Sequence, residues 1–221
     1  MNPISIVENI DCVEGMKDFP DKFFDLAICD PPYGSQINGN NIERTGGTWQ
    51  KKYGGKIKSW DIAPNEEYFT ELFRVSKNII IWGGNYFNLP PSNNFLIWRK
   101  LSISETFSMA MAEYAWTNIK GNAKVFEFAP QDKTRFHPTQ KPVALYRWIL
   151  ENYAKQGDKI LDTHLGSQSS RITSYKKGFD FWGFELDEDY YKQGNERFEK
   201  AIAMPLFDGM NKSNNCLQLT I

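Results

Sequence analysis

Short apolar runs alternate with amphipathic stretches along most of the chain. Ile4 to Val7 reads as a short strand and Cys12 to Lys17 as a helical turn. Phe24 to Cys29 is continuously apolar, as expected of a strand covered on both faces. Asn65 caps a predicted helix of Glu66 to Ser76 that carries Tyr68, Leu72 and Phe73 on one face. Strands follow at Asn78 to Trp82, broken by Gly83-Gly84, then at Asn94 to Trp98, Met109 to Trp116 and Lys124 to Phe128. Pro142 opens a helix to Ala154, with Gly157 beyond its end. Lys159 to Asp162 is a strand, Ser169 to Lys177 a helix, Phe181 to Leu186 a strand and Asp187 to Ala203 a long amphipathic helix. This alternation predicts a doubly wound α/β sheet. We expect a single domain over residues 1–205, without internal repeats, followed by a polar tail over 206–221.

Two segments break the pattern. Gly34 to Ser59 holds six glycines and is too long for an ordinary connection, which predicts a mobile functional loop. It carries Arg44, Lys51, Lys52, Lys56 and Lys58. A second basic cluster, Lys120, Lys124, Lys133 and Arg135, lies in the short segment of Asn118 to Phe136. The net charge is −1 and the pI about 6.2, so any contact with nucleic acid must come from such local patches. Solvated loops are the alternative reading of both clusters. Cys12, Cys29 and Cys216 have no paired or zinc-like spacing, and no metal site is expected. The chain starts without a signal peptide and has no apolar run near the ~18 residues of a membrane span, so a reduced cytoplasm and no membrane association are expected.

The chemistry concentrates where the second strand runs out, at Asp30-Pro31-Pro32-Tyr33. An exocyclic amine on a nucleobase is a poor nucleophile because its lone pair is delocalised into the ring. A carboxylate and a backbone carbonyl that accept its two N–H protons localise that pair. Asp30 supplies the carboxylate and Pro31 the carbonyl, while Pro32 keeps the residue before it extended. Tyr33 supplies a ring for stacking, worth ~1–3 kcal/mol per base. A strand-ending turn with a buried tyrosine is the bland alternative.

A second constellation follows the Ile160-Leu-Asp-Thr-His-Leu-Gly-Ser-Gln-Ser-Ser170 segment, a strand, a tight turn and a helix start. Such a turn lets backbone N–H groups approach a ligand. Glu185 ends the next strand, the position that takes ribose hydroxyls in a Rossmann-like unit. No G-x-G-x-x-G occurs, which argues against a nicotinamide cofactor. Asp11, after the first strand, is either an acceptor for an adenine amine or a helix cap.

These residues together resemble the amino-group DNA methyltransferases of the permuted β group, which use S-adenosylmethionine. The resemblance spans roughly Ile4 to Phe198. It implies a Rossmann-like methyltransferase sheet with the acceptor half first and the cofactor half last. Asp30 to Tyr33 is similar to the family's catalytic turn, and His137-Pro-Thr-Gln-Lys-Pro142 to its element before the cofactor strand, in which Thr139 and Lys141 are expected to contact cofactor. Asp162, Leu165, Gly166 and Ser167 are similar to the cofactor loop, Glu185 to the ribose ligand, Asp11 and Cys12 to the adenine-binding pair, and Ala112 to Ala115 to the strand lining the flipped-base pocket. The family loop is commonly Asp-Pro-Phe-x-Gly-Ser-Gly; here Thr163, His164 and Gln168 depart from it, with Gln168 expected to begin a helix that tolerates its side chain. His137 and His164 read as structural. The implied reaction is methyl transfer to N6 of an adenine flipped out of DNA, with Asp30 placed near the methyl donor. Asp before Pro-Pro-Tyr favours adenine over cytosine N4. A silent binding subunit and an RNA or protein amine methyltransferase are the other readings. Lys51, Lys52, Lys56 and Lys58 are expected to contact DNA phosphate, and the resemblance allows a homodimer.

Overall fold

The computed structural model describes residues 2–34, 62–106, 110–129 and 135–203. Its centre is an eight-stranded sheet of β1 (Ser5–Glu8), β2 (Phe24–Cys29), β3 (Ser76–Trp82), β4 (Phe95–Arg99), β5 (Ala112–Thr117), β6 (Lys124–Glu127), β7 (Lys159–Asp162) and β8 (Asp180–Phe184). The spatial order is β1-β8-β7-β2-β3-β5-β4-β6. β5 runs against its neighbours β3 and β4, and every other pairing is parallel. The helices are α1 (Cys12–Lys17), α2 (Glu66–Val75), α3 (Val143–Tyr153), α4 (Ser169–Lys177) and α5 (Glu188–Ala203). None of them is long and apolar enough to cross a membrane.

The central strands carry consecutive apolar residues, Leu26 to Cys29 in β2 and Ile79 to Trp82 in β3, because both faces are covered there. In β2, Leu26 and Ile28 join one core with Leu145, Ile149 and Leu150 of α3. Their neighbours Ala27 and Cys29 join the opposite core with Met16 of α1 and Tyr68 and Leu72 of α2. Ile80 and Trp82 of β3 divide from Ile79 and Ile81 in the same way. This alternation is the pleat of a strand, whose successive side chains point to opposite faces.

Local signals set the ends of the helices. Asn65 accepts from the Tyr68 amide at 3.1 Å, and Asp11 Oδ1 accepts from Val13 at 2.8 Å and Glu14 at 3.3 Å. Pro142 holds extended backbone at the N-cap of α3. Predicted and observed elements agree except at their edges. β3 starts at Ser76, directly on the end of α2 and two residues before the expected Asn78. β8 stops at Phe184: the Glu185 amide still donates to the Glu8 carbonyl, and beyond it the Asn9 side chain takes the carbonyls of Glu185 and Leu186. Most of the Gly34 to Ser59 loop, Lys133 and the tail lie outside the described residues.

Parallel registers align the carboxyl ends of five strands. Ala27 pairs with Leu161, Asp162 with Gly183, Glu8 with Phe184 and Cys29 with Ile81. The turns after β1, β8, β7, β2 and β3 therefore open onto one edge, where ligands bind in open α/β sheets. Gly183 makes this close packing possible: a Cβ there would stand 2.4 Å from Leu165 Cδ2 and 3.0 Å from the Asp162 carbonyl oxygen. Because the second contact is backbone, Gly183→Ala should cost about 1–3 kcal/mol through overpacking. A lowered melting temperature in a thermal scan checks this, and an unchanged one contradicts it.

Candidate active site

A cleft of about 770 Å³ opens at that edge. Asp11, Cys12, Asp30, Pro31, Pro32, Tyr33, Thr139, Lys141, Leu165, Gly166, Ser167 and Glu185 all line it. Asp162 does not: it is 1% exposed and lies beneath the turn that it was expected to present.

On one side the turn after β2 holds Asp30, whose Oδ1 accepts from the Tyr33 hydroxyl at 2.9 Å. Its Oδ2 is paired with the Lys141 ammonium. Burial pushes the Asp30 carboxyl above its ordinary range, against the opposing pull of Lys141. Lys141 Nζ is also 3.3 Å from Glu113 Oε2, and Glu113 Oε1 is 2.6 Å from Lys100 Nζ. Burial works to lower the Lys141 pKa, but the carboxylates of Asp30 and Glu113 overcome it and hold the ammonium above its usual range. For Glu113, burial works upward, while Lys141 and Lys100 outweigh it and leave the carboxyl below its ordinary value. Tyr33 lies over Gly83, where a Cβ would meet its ring at 2.2 Å, and its ring stacks on Tyr86 at 4.8 Å between centroids and 17° between planes.

On the other side the turn after β7 bends back beneath Glu185. Glu185 Oε2 accepts from the Gly166 amide at 2.7 Å and Oε1 from the Asp187 amide at 2.9 Å. Burial raises the Glu185 pKa and those amides oppose the rise. Asp162 fastens the turn from below: Oδ1 accepts from the His164 amide at 3.1 Å and Oδ2 from the Ser170 hydroxyl. Its carboxyl is lifted by burial to about 7. Gly166 has φ +47°, and a Cβ there would come within 3.1 Å of the His137 ring. His137 packs edge-on against Tyr190 at 4.3 Å, and burial lowers its pKa to about 3. His164, with its pKa lowered by burial to about 4, contacts Thr163 Oγ1 at 2.9 Å and the Tyr68 ring. Both histidines are thus neutral packing groups at pH 7. Burial and the Asp11 charge push the Cys12 thiol up to about 12, so it is no nucleophile.

Gln168 does not begin α4; it is the residue before it, in left-handed conformation with φ 57°. A glycine takes that conformation without strain. Here a buried network offsets the strain: Gln168 Oε1 accepts from Arg171 at 2.8 Å, Nε2 donates to Asn195 Oδ1 at 3.2 Å, and the side chain fills the space that Gly194 leaves.

Sequence reasoning places Lys141 with the cofactor residues, but its ammonium lies on Asp30 and Glu113. Lys100 and Tyr86 join the site without a sequence signal of their own, while Tyr68 was marked only as part of a helix face. Lys100 sits in a turn after a strand and Tyr86 in a short 3₁₀ turn (Gly84–Tyr86), so no local periodicity marks either. Lys51, Lys52, Lys56 and Lys58 lie outside the described residues. Among the described residues, no group of three or more His, Cys, Asp and Glu could hold a metal ion.

The fold has known counterparts. A family model described as DNA methylase, of the N6/N4 methyltransferases, matches residues 48–196, two-thirds of the chain. A curated relative, "Putative methylase YubD" of Escherichia coli (strain K12), is 25% identical over 204 residues, covering 85% of this chain and 87% of its own. Among solved structures, the M1.HpyAVI–SAM complex shares 19% identity at a TM-score of 0.56, covering 86% of this chain and 98% of that one. The PvuII DNA methyltransferase, cytosine-N4-specific, shares 12% identity at a TM-score of 0.58, covering 91% and 93%. The two structures share the fold. The family match takes in everything from α2 to most of α5, including the Lys141 element and the β7 turn, and the chain belongs to the N6/N4 DNA methylase family.

Proposed function

We propose that this DNA methylase transfers a methyl group from S-adenosylmethionine to the N6 amine of an adenine flipped out of the duplex. The observation that carries this reading is that Asp30, after β2, and Glu185, after β8, line one cleft on either side of the β7 turn. The donor set suits the cofactor. Asp11, Asp30 and Glu185 line the cleft with one buried ammonium between them, so the walls favour a ligand carrying positive charge. Glu185 offers acceptor oxygens for ribose hydroxyls, and Asp11 and Cys12 form a shelf at the start of α1 for the adenine ring. When bound, the cofactor supplies an electrophilic methyl group on its sulfonium sulfur.

The chain's own residues do the rest. Asp30 and the Pro31 carbonyl accept the N–H protons of the target amine, turn its lone pair out of the ring plane and aim it. The gain is one of positioning and preorganised electrostatics, not of acid–base exchange. Tyr33 offers its ring face to the base, with flipping costing a few kcal/mol. Asp rather than Ser at the first position of the turn supports adenine over cytosine N4. Lys51, Lys52, Lys56 and Lys58, on the segment that leaves the catalytic turn, would supply phosphate contacts. Expression in an unmethylated host followed by modification-aware sequencing tests the whole reading: N6-methyladenine at a fixed site supports it, N4-methylcytosine corrects the base, and unmodified DNA overturns it.

Three mutational outcomes are expected. Asp30→Asn should lower methyl transfer by on the order of 10²-fold or more, as for loss of one preorganised polar group, with a smaller loss of cofactor affinity than Glu185→Ala. Glu185→Ala should raise the Kd for S-adenosylmethionine by roughly 10- to 150-fold, the range of ~1.5–3 kcal/mol for a charged hydrogen bond. Calorimetry distinguishes the two, and unchanged affinity in the second variant removes Glu185 from the cofactor site. Neutralising the four lysines together should flatten the salt dependence of DNA binding, by about 0.9 in log–log slope for every phosphate that no longer has a lysine beside it. An unaltered slope moves DNA recognition to another part of the chain.

A further inference from the structure

Four charged side chains from four separate segments form a line that ends at Asp30. Lys100 follows β4, Glu113 stands in β5, Lys141 precedes α3 and Asp30 follows β2. The charges alternate in sign along the line. Lys141 is 3% exposed and Asp30 12%. Lys100, at the outer end, is 11% exposed and also stands 5.2 Å above the Trp98 ring. Both Asp30 oxygens are already taken, Oδ1 by the Tyr33 hydroxyl and Oδ2 by Lys141. A target amine must therefore share an Asp30 oxygen with one of these partners or displace it, and it gains the stronger acceptor where the ammonium moves aside.

The partner able to let go is Lys141, because a second carboxylate waits 3.3 Å from its nitrogen. Its ammonium also stands 5.4 Å over the Trp82 ring, which favours a cation there. We propose that Glu113 and Lys141 form a charge hand-over: as the target amine takes Asp30, Lys141 shifts its hydrogen bonding to Glu113 and stays close enough to keep Asp30 ionised. This role rests on the reading of Asp30 as the acceptor of the amine, and it makes Lys141 and Glu113 positioning residues.

The physical requirement is twofold. A buried carboxylate without a nearby cation takes up a proton and becomes a donor on one oxygen. A carboxylate held tightly by one cation is a weaker acceptor for substrate, because that cation draws on the same oxygen. Sharing a single ammonium between two carboxylates meets both needs, and Lys100 compensates the second carboxylate. Tyr33, Tyr146 of α3 and Asp162 at the end of β7 also face Asp30 electrostatically. They are unchanged in the variants below.

The test is the pH profile of kcat/KM for methyl transfer to duplex DNA, together with ¹³C carboxyl NMR of Asp30 in the same proteins without DNA. Asp30 must be ionised to accept the amine, so activity falls as pH drops through its pKa. Removing the ammonium raises that pKa, and the acid limb moves to higher pH. Lys141→Met should shift the limb and the Asp30 carboxyl titration upward by about one to three pH units, with activity recovering at alkaline pH. The double variant Lys141→Met/Glu113→Gln removes one charge of each sign and should bring both back toward wild type. Glu113→Gln alone leaves the ammonium on Asp30, and should raise the KM for DNA without moving the limb upward. A uniform loss of activity at all pH values in Lys141→Met overturns the proposal, as does a double variant shifted as far as the single one. If Lys141→Met does not fold, Glu113→Gln decides, since an unchanged KM overturns the hand-over. Should the wild-type protein methylate no DNA, the function reading fails, and the carboxyl titrations still report whether Lys141 holds Asp30 ionised.

Discussion

The parallel pairing of β2 with β7 is the constraint on which the cleft depends. Leu26 pairs with Ile160 and Ala27 with Leu161, although more than 130 residues separate the two strands along the chain. Both strands are buried on two faces, so a slip of one residue would exchange the residues that face α3 with those that face α1 and α2. The register is therefore set by packing on both sides at once. It places Asp30 and the Gly166 turn at the same edge, and with β8 as the next neighbour it adds Glu185.

Burial sets the electrostatic character of that edge. Carboxylates gather there, and each is held by partners of a different kind. Asp30 has an ammonium and a phenol, Glu185 has two backbone amides, and Asp162 has an amide and a hydroxyl. Charged partners offset burial more strongly than neutral ones. Asp162, without a cation beside it, is the group carried up to about 7. It serves as a structural pin under the turn, while the carboxylates with exposed oxygens face the cleft. The departures from the usual family loop fit this division. Thr163 and His164 pack against Tyr68, and Gln168 accepts a strained backbone in return for buried hydrogen bonds to Arg171 and Asn195.

Much of the fold was legible because its signals are local. An apolar run marked β2, Asn65 marked the start of α2, Pro142 the start of α3 and Gly83-Gly84 the end of β3. Asp11 was open between a cap and a ligand, and the structure makes it a cap through Oδ1 while leaving it on the cleft wall. Asp30 to Tyr33 was legible from four adjacent residues following a strand. Lys141 was legible as a residue of the cleft, while its pairing with Asp30 and Glu113 was not, because those partners are distant along the chain.

The sequence by itself determined the elements, their two-sided burial and the residue types able to orient an amine, since periodicity, caps and a four-residue turn act over a few positions. Only the tertiary structure decided that Asp162 lies beneath the cleft, that Gln168 takes a left-handed backbone and that Lys100, Glu113, Lys141 and Asp30 form one line of charge. Each of those outcomes depends on strand order and register, and on how much water remains around a charge once strands from distant parts of the chain have closed over it.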